Sequence, residues 1–87
     1  MLKKTYITFG QVHVHSVEGK TFDKDCVACI IHDEKVNGRD LAFELFSDKW
    51  HQSFEHDHVQ DICMKYYPRG IIEVQQVFYP KITENID

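Results

Sequence analysis

A chain of 87 residues with 43% hydrophobic and 13% aromatic content has the composition of a single globular domain, residues 1–87, burying roughly 60–65% of its unfolded surface. Fourteen acidic against ten basic residues give a formal charge of -4, and no Lys/Arg stripe interrupts the mixture. That balance argues against nucleic-acid binding through a basic patch, and its dispersed signs lack the concentrated negative surface that nucleic-acid mimicry needs.

The opening "MLKKTYITFG" has no long apolar run after its lysines, so the expectation is neither a signal peptide nor a membrane span, and a cytoplasmic location. Tyr6 to Val17 is β-branched and aromatic with period-two alternation, which predicts a half-buried strand. Its parity breaks between Ile7/Phe9 and Val12/Val14. A bulge at Gly10-Gln11 would restore one apolar face and turn His13 and His15 to the other. Glu18-Gly19 then supplies a turn, and Thr21 to Ile31 returns antiparallel to complete a hairpin.

The second strand, Cys26 to Ile31, is apolar on both faces, so both must be covered, by other parts of the chain or by a second protomer. Asp33 is the expected N-cap of a helix over Glu34 to Ser47, with Leu41, Ala42, Leu45 and Phe46 on one stripe. Gly38 falls on that stripe, where a missing side chain lets the helix approach a sheet. Alternation in "KWHQSFE" predicts a third strand at about Lys49 to Glu55, followed by a short helical turn over Asp57 to Lys65. Pro68 and Gly70 mark a turn before the last strand, Ile71 to Tyr79, closed by Pro80. Lys81 to Asp87 reads as a disordered tail. The sum is an α+β fold: a small antiparallel or mixed sheet, β-β-α-β-β, with one main helix on one face.

Three cysteines make no closed disulfide framework. In "CVAC" the two sulfurs sit three apart on a strand and point to opposite faces, so they pair neither with one metal nor as a redox couple. Six histidines offer more. His13 and His15 on one strand face would lie roughly 6.6 Å apart, and His56 and His58 in "EHDHVQDIC" would complete a tetrahedral zinc set if the segments met. No phosphate-cradling glycine loop, GxSxG elbow or HExxH occurs. A Cys63–His58 pair has nothing to orient it, so no catalysis and no required cofactor are expected. "KYYPRG" concentrates Tyr66, Tyr67 and Arg69, residue types enriched at interface hot spots, around a stiffening proline; the plainer reading buries one tyrosine in the core.

The segments "TYITFGQVHVHSVEGKTFDKDCVA", "GRDLAFELFSDKW" and "MKYYPRGIIEV" resemble short uncharacterised open reading frames of bacteriophage and prophage genomes. The likeness spans about Thr5 to Val74 and excludes "VFYPKITENID". It implies an accessory protein in the host cytoplasm, such as a stoichiometric inhibitor of host defence of the anti-CRISPR kind, and brings no catalytic residues. The leading expectation is therefore a non-enzymatic binder of another protein, with contact residues Tyr66, Tyr67, Arg69, Glu55, Asp57 and Asp61. One alternative is a homodimeric small-ligand or nucleotide sponge, with Cys26 to Ile31 building the dimer and His13, His15 and Arg69 gripping a phosphate. Another is a zinc protein using His13, His15, His56 and His58.

Overall fold

The computed structural model describes residues 1–55 and 67–80, and everything below concerns those residues. Six strands and one helix occur in the order β1 (Leu2–Thr8), β2 (His15–Val17), β3 (Lys20–Phe22), β4 (Cys26–Asp33), α1 (Gly38–Phe46), β5 (Gln52–Phe54) and β6 (Gly70–Phe78). Four of the strands form a mixed sheet in the order β5-β1-β4-β6, while β2 and β3 form a separate hairpin. The α+β class with one helix is thus what the chain adopts.

The doubly apolar strand β4 lies inside the sheet, antiparallel to β1 and parallel to β6. Its even residues Cys26, Ala28 and Ile30 join Ile7, Phe9, Phe22, Leu41, Ala42, Phe46 and Val74 in the helix-side core. Its odd residues Val27 and Cys29 pack with Tyr6, Ile31, Phe54, Tyr67 and Ile71 on the other side. Each large aliphatic or aromatic side chain removed from water contributes about 1.5–3 kcal/mol, so both faces stabilise the sheet. The two cysteines do face opposite ways. A dimer built on Cys26 to Ile31 is excluded, because β4 has both edges paired and Val27 and Ala28 are fully buried within one chain.

The long bulged first strand does not form. β1 stops at Thr8, and Gly10 to His13 make a turn in which the His13 N–H bonds the Gly10 carbonyl at 3.0 Å. Val12 and Val14 are 88% and 57% exposed, so the parity break marks a departure from the sheet instead of a bulge within it. The expected hairpin accordingly divides: β1 pairs β4, while β2 and β3 close over the predicted turn, with Glu18 and Gly19 both at positive φ. Phe22 at the end of β3 meets Phe9 and Phe46 with ring centroids 5.9 and 5.3 Å away, and Phe9 meets Phe46 edge-on at 5.0 Å.

α1 begins four residues later than the sequence suggested. Asp33 ends β4 and caps only a turn, accepting from the Lys35 N–H at 2.9 Å. Asn37 is the N-cap, its Oδ1 accepting from the N–H groups of Arg39 at 2.9 Å and Asp40 at 3.1 Å. Gly38 is buried as expected, and a Cβ there would overlap the Thr5 side chain. Thr5 itself belongs to a buried polar chain: the His32 Nδ1–H donates to the Asp33 carbonyl at 2.9 Å, leaving Nε2 to accept the Thr5 hydroxyl proton at 2.7 Å. Both groups are thereby satisfied beneath the helix N-terminus.

β6 carries an irregularity the alternation concealed. Cys29 pairs Glu73 and Ile31 pairs Val77, so Ile30 alone faces Val74, Gln75 and Gln76. Two inserted residues preserve parity, and Ile72, Val74 and Phe78 all remain in the helix-side core.

Candidate functional site

The apolar stripe of α1 buries Gly38, Leu41, Ala42 and Phe46, which leaves Arg39 and Phe43, four residues apart, side by side on another face. At its C-terminal end Ser47 takes a left-handed φ of 56° and the Lys49 N–H returns to the Phe46 carbonyl at 2.9 Å, reversing the chain. The reversal brings Trp50 against Phe43, ring centroids 5.1 Å apart and nearly perpendicular, with the indole N–H held by the Ser47 carbonyl at 3.1 Å. Over these rings lies the Arg39 guanidinium, its Cζ 6.0 Å from the Phe43 centroid and 5.7 Å from that of Trp50.

Two features set Arg39 apart. It occupies the first turn of the helix, where the macrodipole disfavours a cation. And among the described residues no carboxylate lies within ion-pair distance of its five N–H donors. Beside it runs an open groove of about 240 Å³ lined by Arg39, Trp50, His51, Gln52, Ser53 and Phe54. Successive residues of β5 point to opposite sides of a sheet, so a groove lined by all three follows the strand's outer edge. β5 pairs β1 on one side through Tyr6–Phe54, Ile7–Ser53 and Thr8–Gln52, and no described strand pairs its other side.

The residues nominated from sequence are distributed otherwise. Tyr67 is half-buried, packed against the cluster of Tyr6, Val27 and Cys29. The Arg69 guanidinium is committed to Asp23 at 3.1 Å, and its backbone N–H to the Asp25 carbonyl at 2.8 Å; both contacts fix the start of β6 to the turn before β4. Glu55 is exposed and lines a shallow basin of about 380 Å³ with Leu2, Lys3 and Lys4. Tyr66, Asp57, Asp61, His56 and His58 lie outside the described residues, as do Cys63, the short helical turn over Asp57 to Lys65 and the tail from Lys81.

His13 and His15 do not share a strand face, because His13 is not in a strand. Its ring folds back onto the Gly10 turn, Nδ1 accepting the Gly10 N–H at 2.8 Å, which leaves Nε2 as the nitrogen it can offer. His15 lies edge-on to Phe46 with centroids 5.8 Å apart. Among the described residues no three His, Cys, Asp or Glu side chains are grouped to hold a metal ion. The phosphate grip of His13, His15 and Arg69 loses its cation to Asp23. Burial pushes the Cys26 thiol above its ordinary pKa of 9.0, against the opposing pull of the Asp23 backbone hydrogen bond and Arg69, so it rests as the unreactive thiol.

Sequence reasoning passed over Arg39, Phe43 and Trp50. Phe43 carried the available signal, an aromatic residue off the buried stripe one turn from an arginine. No helix of the described residues is long and apolar enough to cross a membrane. No protein-family model, curated protein or solved structure matches the chain.

Proposed function

We propose that this chain is a non-enzymatic, cytoplasmic protein-binding module that acts by occupying another protein, with Arg39, Phe43 and Trp50 as the contact face. The observation that carries the reading is the guanidinium held over two rings with no carboxylate partner among the described residues. Such an arrangement prepares rigid apolar area and unspent charged donors at one spot, and Trp and Arg dominate the residues that anchor interfaces. Phe43 is 48% exposed, a large apolar surface to leave in water on an otherwise polar helix face. The resemblance to phage accessory reading frames makes a host protein the natural target and stoichiometric inhibition the mode of action.

Photocrosslinking tests this. Benzoylphenylalanine in place of Phe43, in cells that naturally carry the gene, is expected to give one discrete adduct with a different protein. The same group at the exposed, distant position of Val12 gives none, and adding Arg39→Asp abolishes the adduct at 43. No adduct from position 43, or equal adducts from both positions, overturns the reading. An adduct at twice the chain mass identifies a second copy and overturns the assignment to another protein.

A further inference from the structure

We propose that the occupant of the Arg39 groove is an extended, carboxylate-bearing polypeptide segment, added as a further strand to the outer edge of β5 with an Asp or Glu side chain received by Arg39. The inference rests on the protein-binding reading above and specifies its partner's chemistry.

Three observations converge. The groove follows the outer edge of β5, where backbone N–H and C=O groups of an edge strand are a ready template for another chain. A three-residue strand supplies only a few backbone hydrogen bonds, so a second anchor is needed, and Arg39 with its two rings stands beside it. Among the described residues the lining includes Arg39 and His51 and no carboxylate, so the groove complements an acidic side chain. A planar guanidinium that lies 5.7 to 6.0 Å from two ring centroids can receive a carboxylate through two parallel hydrogen bonds.

Other occupants fit less well. A nucleic-acid strand would bring a run of phosphates to a chain of formal charge -4 and would not match the edge's alternating donors and acceptors. A second copy pairing β5 with β5 about a two-fold axis would bring two Arg39 cations to one groove, and like charges across a contact oppose association. The opposite edge of the sheet competes poorly for a strand, because β6 has the N–H groups of Gln75 and Gln76 taken by the Glu18 carboxylate at 2.8 and 3.1 Å.

Selection of random dodecapeptides displayed on mRNA, against the immobilised full chain, tests the proposal, followed by fluorescence anisotropy of the recovered peptides. Recovered sequences are expected to alternate β-branched residues with Asp or Glu and to lack proline. Arg39→Gln should weaken them about tenfold, roughly 1.4 kcal/mol. Replacing the peptide's acid by its amide should cost the same about tenfold in the parent chain and nothing further in the Arg39→Gln variant. Glu73→Gln on β6 should alter affinity less than about twofold. Amide resonances of Gln52, Ser53 and Phe54 should shift on binding, and those of Gln75 and Gln76 should not. Recovery of basic or proline-rich peptides, recovery of none above background, or binding indifferent to the peptide's charge overturns the proposal. So does displacement of the peptides by an oligouridylate, which would assign the groove to nucleic acid. A crosslink at position 43 without acidic strands removes this occupant and keeps the binding module; acidic strands without a crosslink do the reverse.

Discussion

The two outer strands of the sheet, β6 and β5, treat the same hazard in opposite ways. β6 is nine residues long, and where three of its residues face Ile30 alone its ladder to β4 is interrupted. Glu18 reaches across from the β2–β3 turn and accepts from both Gln75 and Gln76, while the Lys20 ammonium donates to the Glu73 carbonyl at 3.0 Å. The strand thus carries a bulge and has three of its backbone groups taken by the chain's own side chains, two of the devices that keep exposed strands from recruiting neighbours. β5 spans three residues, has no such cover among the described residues, and is bordered by an arginine 5.7 to 6.0 Å from two aromatic ring centroids. Length and cover trade places: the long edge is partly covered, and the edge left open among the described residues is short enough to need a side-chain anchor before it can bind.

The largest expected effect comes from breaking what positions the open edge. Gly38 lets α1 sit on Thr5, and the same docking places Arg39 beside β5. Gly38→Ala should force the helix off β1 and destabilise the fold by about 3 kcal/mol, read as a lowered urea midpoint, because overpacking a tight contact outweighs the gain in helix propensity. A variant as stable as the parent would show that the helix shifts freely and that Arg39 is not fixed by it.

Opening the closed edge should cost less. Glu18→Ala removes the acceptor of two N–H groups at an exposed site and should destabilise by about 1 kcal/mol. Hydrogen exchange should accelerate at Gln75 and Gln76 in particular, and the variant should associate at high concentration as its unprotected edge recruits copies. Unchanged exchange at those two amides would mean that the bulge alone protects β6.

The smallest effect sharpens how β6 begins. Cys26 pairs Gly70 in the β4–β6 ladder, and burial raises its thiol pKa from the ordinary 9.0. Below pH 9 both folded and unfolded chains retain the thiol proton and the contribution is full. As pH rises above 9 the unfolded thiol ionises first, so stability falls until the folded pKa is also passed. Urea unfolding between pH 8 and 10 should show a shallower fall in Cys26→Ala than in the parent; parallel curves would remove Cys26 as a source of the dependence.

Much of this architecture is legible in the amino-acid sequence. The apolar run of Cys26 to Ile31 announced a strand covered on both faces, and Glu18-Gly19 announced a two-residue hairpin turn, because each depends on side-chain period or on backbone angles local to a few residues. Gly38 was readable as a close approach because the helical period placed it on the buried stripe. The helix start was misplaced from Asn37 to Asp33 because both residues cap well, and the choice depends on where β4 ends.

The bulge in β6 could not be read, since two inserted residues leave the alternation intact. The fate of Val12 and Val14 could not be read either: a strand continuing past Gly10 and a turn closed by His13 present the same alternating letters, and only pairing with β4 ends the ladder at Thr8. The candidate site was the least visible part. Arg39, Phe43, Trp50 and β5 belong to three successive elements, and what makes them one surface is a reversal at Ser47 and the docking of α1 on Thr5. Local pattern therefore determined which residues form strands and helix and which faces they bury. Tertiary packing decided which strand edges are covered and where the Arg39 guanidinium comes to rest, because those outcomes depend on contacts between groups far apart in the chain.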